Sequence, residues 1–171
     1  EGIRMASGSL GQGLSTAIGA ALTKKLNDDD SIVYTLHGDG ELQEGQVWEA
    51  FMYASGKQVD NLIATIDYNQ KQIDGTIDEV LPIGNLTAKL EAFDWVVLEE
   101  LEGNNVEAII NTLNRAKELT GKKKPVAIIL HTEMGNGVDY MMGTHKWHGS
   151  APNDEQLSKA LSQNTETLGD Y

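Results

Sequence analysis

Small and apolar residues set the first rhythm of the chain. Leu14, Ala17, Ile18, Ala21 and Leu22 recur at intervals of three and four, which predicts one buried face of a helix over residues 10–26. The acidic run Asn27-Asp28-Asp29-Asp30 ends it. Residues 31–36 form a short β-prone stretch that empties into Gly38-Asp39-Gly40. Helical spacing then returns at Val47, Ala50, Phe51 and Ala54, with Glu41 and Glu44 in a first turn where the helix dipole favours acids. Residues 62–66 predict a second, buried strand that closes on Asp67-Tyr68-Asn69 and is followed by a polar loop to Gly75. Residues 86–93 predict a short helix and residues 95–101 a third strand. Val106, Ile109, Ile110 and Leu113 supply the stripe of another helix, with Asn104 and Glu107 spaced as a capping box. Pro125 introduces a fourth strand at 126–130, and a last helix is expected over 153–163 before a polar tail at 164–171.

Each interval between strands holds a helix, so tight hairpins do not join them. The expected fold is α/β: a doubly wound, mostly parallel sheet with helices on both faces, in one domain over residues 1–171. Residues 131–152 stand apart as a long loop carrying four glycines together with His145 and His148. Structureless stretches of that length inside a domain are functional or disordered.

Composition narrows the chemistry. A formal net charge of −13, with Arg4 and Arg115 as the two arginines, argues against a nucleic-acid or anionic-membrane surface. With no cysteine, disulfides, thiolate metal sites and a cysteine nucleophile are excluded. No apolar run approaches the roughly 20 residues of a spanning helix, so a soluble, cytoplasmic protein is expected.

Asp39 and Asn69 stand thirty positions apart, and the element pattern puts both at the carboxyl ends of successive strands, the edge where open α/β sheets bind ligands. A carboxylate and a carboxamide are hard oxygen donors. With a main-chain carbonyl and two phosphate oxygens they complete the near-octahedral shell that Mg²⁺ demands. Gly40, without a Cβ, lets its N–H approach a diphosphate at a helix N-terminus. A Gly-Asp-Gly turn alone is weak, since such turns arise for conformational reasons. Asn69 at the end of a second strand strengthens it.

These residues resemble a known family. Gly38 to Gly45 (GDGELQEG), Asp60-Asn61-Leu62-Ile63, Asp67-Tyr68-Asn69 and Gln72-Ile73-Asp74-Gly75 are similar to the thiamine diphosphate motif of transketolases. Ser7 to Leu14 (SGSLGQGL) resembles the family's cofactor-contacting turn and helix. Gly135 to Val138, Trp147-His148-Gly149 and Ala151-Pro152 resemble its later active-site loop. The likeness runs over residues 2–163 and is strongest to the amino-terminal subunit of transketolases made of two chains.

The resemblance implies a thiamine diphosphate-binding fold with Asp39, Asn69 and the main-chain carbonyl of Lys71 as ligands to Mg²⁺ or Ca²⁺. It implies Gly40 on the diphosphate, Gly8, Ser9, Leu10 and Glu41 around the cofactor, His148 near cofactor and substrate, and Glu44 close to a subunit interface. An imidazole that exchanges a proton near neutral pH suits the place of His148. The activity implied is two-carbon ketol transfer from a ketose phosphate to an aldose phosphate. It implies too a partner chain or domain that binds the aminopyrimidine and supplies the activating glutamate, in a homo- or hetero-oligomer. About 100 residues, a stretch of domain scale, precede this region in the family, and only seven precede Gly8 here. Alternatives are the α part of a 2-oxo acid dehydrogenase, a deoxyxylulose-phosphate synthase, or a non-catalytic module of the same fold.

Overall fold

The computed structural model describes residues 2–164; most of the expected polar tail lies outside them. The elements follow in the order α1 (Gln12–Leu26), β1 (Val33–Gly38), a 3₁₀ turn (Gly40–Gln43), α2 (Gly45–Gly56), β2 (Leu62–Tyr68), β3 (Lys71–Gln72), β4 (Gly75–Thr76), α3 (Ile77–Val80), α4 (Leu86–Ala92), β5 (Val96–Glu100), α5 (Val106–Leu119), β6 (Val126–His131) and α6 (Asp154–Gln163). The main sheet has the order β1-β2-β6-β5, and every pairing in it is parallel. β3 and β4 form a separate two-residue antiparallel hairpin. Among the described residues no helix is long and apolar enough to cross a membrane.

The alternation of side chains along the strands explains the layers. Leu62, Ala64, Ile66, Ala127 and Ile129 pack with α1, α2 and α4 on one face. Ile63, Val126, Ile128 and Leu130 point the other way, with Ala116, Ile109 and Leu113 of α5. β2 and β6 are therefore apolar on both sides, as central parallel strands are. Phe51 anchors the first face, fully buried against Trp95 in an edge-on contact at 4.9 Å, while the Trp95 indole N–H donates to the Phe51 carbonyl at 2.9 Å. On the second face α5 packs chiefly on β5 and β6, and Tyr34 and Leu36 of β1 stay 48% and 72% exposed.

Several local boundaries differ from the sequence pattern for physical reasons. β1 begins two residues late because the Asp29 carboxylate captures the Ser31 N–H and hydroxyl in a turn. Leu10 stays outside α1 because Gly11 takes a left-handed φ of 83°. Glu41 and Glu44 do not share a first helical turn: Glu41 lies in the 3₁₀ turn and Glu44 is the extended N-cap of α2. The cap of α5 is Asn105, whose side chain accepts from the Glu107 and Ala108 N–H groups. Glu107 is thus one position too early to close a box, and Asn104 instead accepts the Glu133 N–H at 2.6 Å. The polar loop after Asn69 contains the β3–β4 hairpin and α3, where Thr76 and Glu79 do form a capping box.

Candidate cofactor and metal site

Parallel register brings the site together. Gly38 lies opposite Asp67, so the chain leaves β1 and β2 at the same level, and the Asp39 N–H continues the ladder to the Asp67 carbonyl at 3.2 Å. The Asp39 side chain turns back into the gap, where one oxygen accepts the Gly40 N–H at 2.8 Å and the other the Gln70 N–H. Asn69 orients its own turn, its Oδ1 accepting the Lys71 N–H at 2.9 Å. Asp39, Gly40, Asn69 and Lys71 therefore occupy one sheet edge. A Cβ on Gly40 would stand 3.2 Å from the Gln72 Cβ, so the hairpin closes tightly over the Gly-Asp-Gly turn.

The Asp39 carboxyl is 1% exposed and pairs with no cationic side chain among the described residues. Burial pushes its pKa up to about 6, against the two N–H donors that favour the carboxylate, with the nearby charge of Asp67 adding to the rise. A buried carboxylate that lacks a counter-charge would be relieved by a bound cation. Among the described residues no three His, Cys, Asp or Glu side chains cluster to cage a metal. A site built from one carboxylate, one amide and a main-chain carbonyl would leave coordination positions for a phosphate, the habit of Mg²⁺ rather than of a closed structural site.

A family model described as the transketolase thiamine diphosphate binding domain matches residues 1–166. The chain belongs to this transketolase family. It is 41% identical over 167 residues to an apulose-4-phosphate transketolase subunit of Phocaeicola vulgatus, covering 98% of this chain and 58% of that one. It is 40% identical to the 6-deoxy-6-sulfo-D-fructose transketolase subunit SqwG of a Clostridium species, covering 95% of this chain and 58% of that one. The chain thus spans 58% of the length of these curated relatives. The crystal structure of Campylobacter jejuni transketolase superposes with a TM-score of 0.85 at 34% identity, over 95% of this chain and 26% of that one.

Within this transketolase domain the remaining expected residues take different places. Gly8, Ser9 and Leu10 form an exposed turn before α1. That turn is tied to the site from two sides: the Gln46 amide donates to the Leu10 carbonyl at 3.2 Å, and Glu41 accepts the Gly11 N–H at 2.8 Å. The other Glu41 oxygen faces His37 Nδ1 and the Gly38 N–H, both at 3.3 Å, so this carboxylate works as a strut between α1 and β1. Its pKa stays below the usual range: burial raises it, and the His37 and Gly11 hydrogen bonds outweigh that. Glu44 and His148 are exposed, and neither side chain is hydrogen-bonded among the described residues. Among the described residues the hydrogen bond that holds His148 is from its backbone N–H to the His145 carbonyl at 2.9 Å, where Gly149 passes Ile73 of the hairpin.

Three contacts at this edge were not singled out from the sequence. Thr132 donates its hydroxyl to Asp67, Lys71 pairs with Glu133 at 3.3 Å, and Gln72 bonds Gln43 at 2.9 Å. Thr132 and Glu133 directly follow β6, so the sheet-edge rule applied to a third strand end would have found them. An open depression of about 490 Å³ flanks the edge, lined by Tyr68, Gln70, Asn104, His131 and Glu133 among others.

Proposed function

We propose that this chain is the diphosphate- and metal-binding part of a transketolase-type transferase. The observation that carries the reading is the buried Asp39 carboxyl, free of any cationic partner among the described residues and set beside Asn69 at the carboxyl edge of two parallel strands. Asp39, Asn69 and the Lys71 carbonyl would hold Mg²⁺ or Ca²⁺, and the Gly40 N–H would meet the diphosphate. Bound thiamine diphosphate supplies the carbanion chemistry by which a two-carbon ketol unit passes from a ketose phosphate to an aldose phosphate in the cytoplasm. The chain's own share is to bind and orient that group. The Gly40 turn, closed by Gln72, fixes the diphosphate end, and the Gly8–Leu10 turn braced by Glu41 and Gln46 forms a neighbouring wall. His148 offers an imidazole for proton exchange with a sugar hydroxyl. A partner domain or chain supplies the aminopyrimidine-side glutamate, with Glu44 toward that interface. Support comes from the family match and from relatives that are named as transketolase subunits.

Titration calorimetry with thiamine diphosphate and Mg²⁺ tests this. Binding should weaken at least tenfold, about 1.4 kcal/mol, in Asp39→Ala and in Asn69→Ala. Equal affinity in both variants would remove the metal assignment. Mixing with a partner that carries the missing glutamate should create ketol transfer, and Glu44→Ala should impair it.

A further inference from the structure

Glu133 joins three separate stretches of the carboxyl edge. Its Oε1 accepts Lys71 Nζ at 3.3 Å and the Gly143 N–H at 2.8 Å, and its own N–H donates to Asn104 Oδ1 at 2.6 Å. The Gly143 bond closes residues 133–143 into a loop whose interior is built by the buried Val138 and by Tyr140, packed edge-on against Trp147 at 5.0 Å. Trp147 in turn donates to the Tyr140 carbonyl at 2.9 Å, and Tyr140 to the Gln156 carbonyl of α6 at 2.7 Å. The loop is thus a packed unit, and His148 is the residue after its tryptophan. Its charged tie to β2 and the hairpin runs through Lys71.

Lys71 is unusual in what it connects. Its N–H holds the Asn69 side chain, and its ammonium reaches across to Glu133 with only 14% of the side chain exposed. An unpaired ammonium on a residue whose own carbonyl would hold a cation opposes that cation; a carboxylate placed on it weakens the opposition. We propose that Lys71 and Glu133 form a positioning latch: packing of the 133–148 loop fixes the Asn69–Lys71 turn in the conformation that presents oxygen to the metal. This deepens the reading of the site given above and rests on it. Neither side chain is a ligand. The latch makes loop order and metal affinity a single linked equilibrium, so metal binding should tighten the loop by the same factor as the loop tightens metal binding.

The test uses Lys71→Met, Glu133→Ala, their double variant and Lys71→Arg. Mg²⁺ affinity is read at saturating thiamine diphosphate by calorimetry. Amide hydrogen exchange over 134–148 is read in the metal-free protein. The latch predicts that Lys71→Met and Glu133→Ala each weaken Mg²⁺ binding by about two- to five-fold, the range of a partly solvated pair. It also predicts that the double variant is no worse than the poorer single one, and that Lys71→Arg restores the affinity. Exchange over the loop should quicken in Lys71→Met although that variant keeps the Glu133–Gly143 bond. A pure charge effect gives a different pattern: Lys71→Met would bind Mg²⁺ more tightly and Glu133→Ala less, with loop exchange unchanged in Lys71→Met. That result, or additive losses, overturns the latch. If the unaltered protein binds no Mg²⁺ with thiamine diphosphate, the proposed function fails; the exchange comparison, which needs no metal, then still decides whether Lys71 orders the loop.

Discussion

At position 39 a carboxyl sits out of water with two backbone donors and no counter-charge among the described residues, which raises its pKa from 3.8 to about 6. The folded state therefore keeps a proton that the unfolded chain releases between those values. The metal-free protein is expected to carry its full contribution from Asp39 below about pH 4 and to lose it as the pH rises through 6, by at most about 3 kcal/mol. Asp39→Asn should flatten that part of the profile, as read from the difference between the two melting curves across this range. Mg²⁺ with thiamine diphosphate should reverse the slope, since the cation requires the carboxylate; affinity should climb toward pH 6 and level off above it. That Asp39, Gly40 and Asn69 meet at one sheet edge was legible in the sequence, because the element pattern put them at successive strand ends. Glu41 was legible only as part of a motif, and its bonds to Gly11 and His37 give it a bracing role that spacing could not reveal.

Among the elements, those with a clear apolar period were read within about two residues, the ordinary uncertainty of element ends, except the start of α2, which falls at Gly45 because Gly40–Gln43 forms a separate 3₁₀ turn. What escaped was decided by side chains capturing backbone. Asp29 delays β1, Asn105 rather than Asn104 caps α5, and the β3–β4 hairpin is too short to show a period. The β5–α5 connection shows how tight such details are. The Gly103 N–H donates to the His131 carbonyl at 3.0 Å, and a Cβ on Gly103 would lie 2.6 Å from that same oxygen. Gly103→Ala must push this loop off the end of β6, at a cost of about 1–3 kcal/mol in urea unfolding. Because Asn104 and its bond to Glu133 move with it, the variant should also speed exchange over the 133–143 loop.

For the whole molecule, the α/β class followed from alternation of strand and helix patterns, but the strand order did not. Residues 62–66 and 126–130 are both predominantly apolar runs, and nothing in them says that the second lies beside the first. The unequal clothing of the sheet was equally hidden, since Tyr34 and Leu36 read as ordinary strand residues and are left exposed on the half that α5 does not reach. β1 is also an edge of the sheet as described, with one row of backbone groups unpaired. Exposed apolar edges of this kind self-associate, and lysine on them is the usual remedy. Leu36→Lys should lower light scattering of concentrated protein while changing unfolding free energy by no more than about 0.5 kcal/mol.

The order β1-β2-β6-β5 has a consequence for synthesis. Among the described strands β6 is the only neighbour of β5 and one of the two neighbours of β2, yet it is the last of the four to be made. A nascent polypeptide released as far as residue 125 would hold β1 and β2 as a pair and β5 as an orphan, and the ligand-binding rim would lack its third wall. Ribosome-stalled chains of increasing length should therefore gain protease resistance sharply at the length that carries His131 out of the exit tunnel, and not at the length where it is merely made.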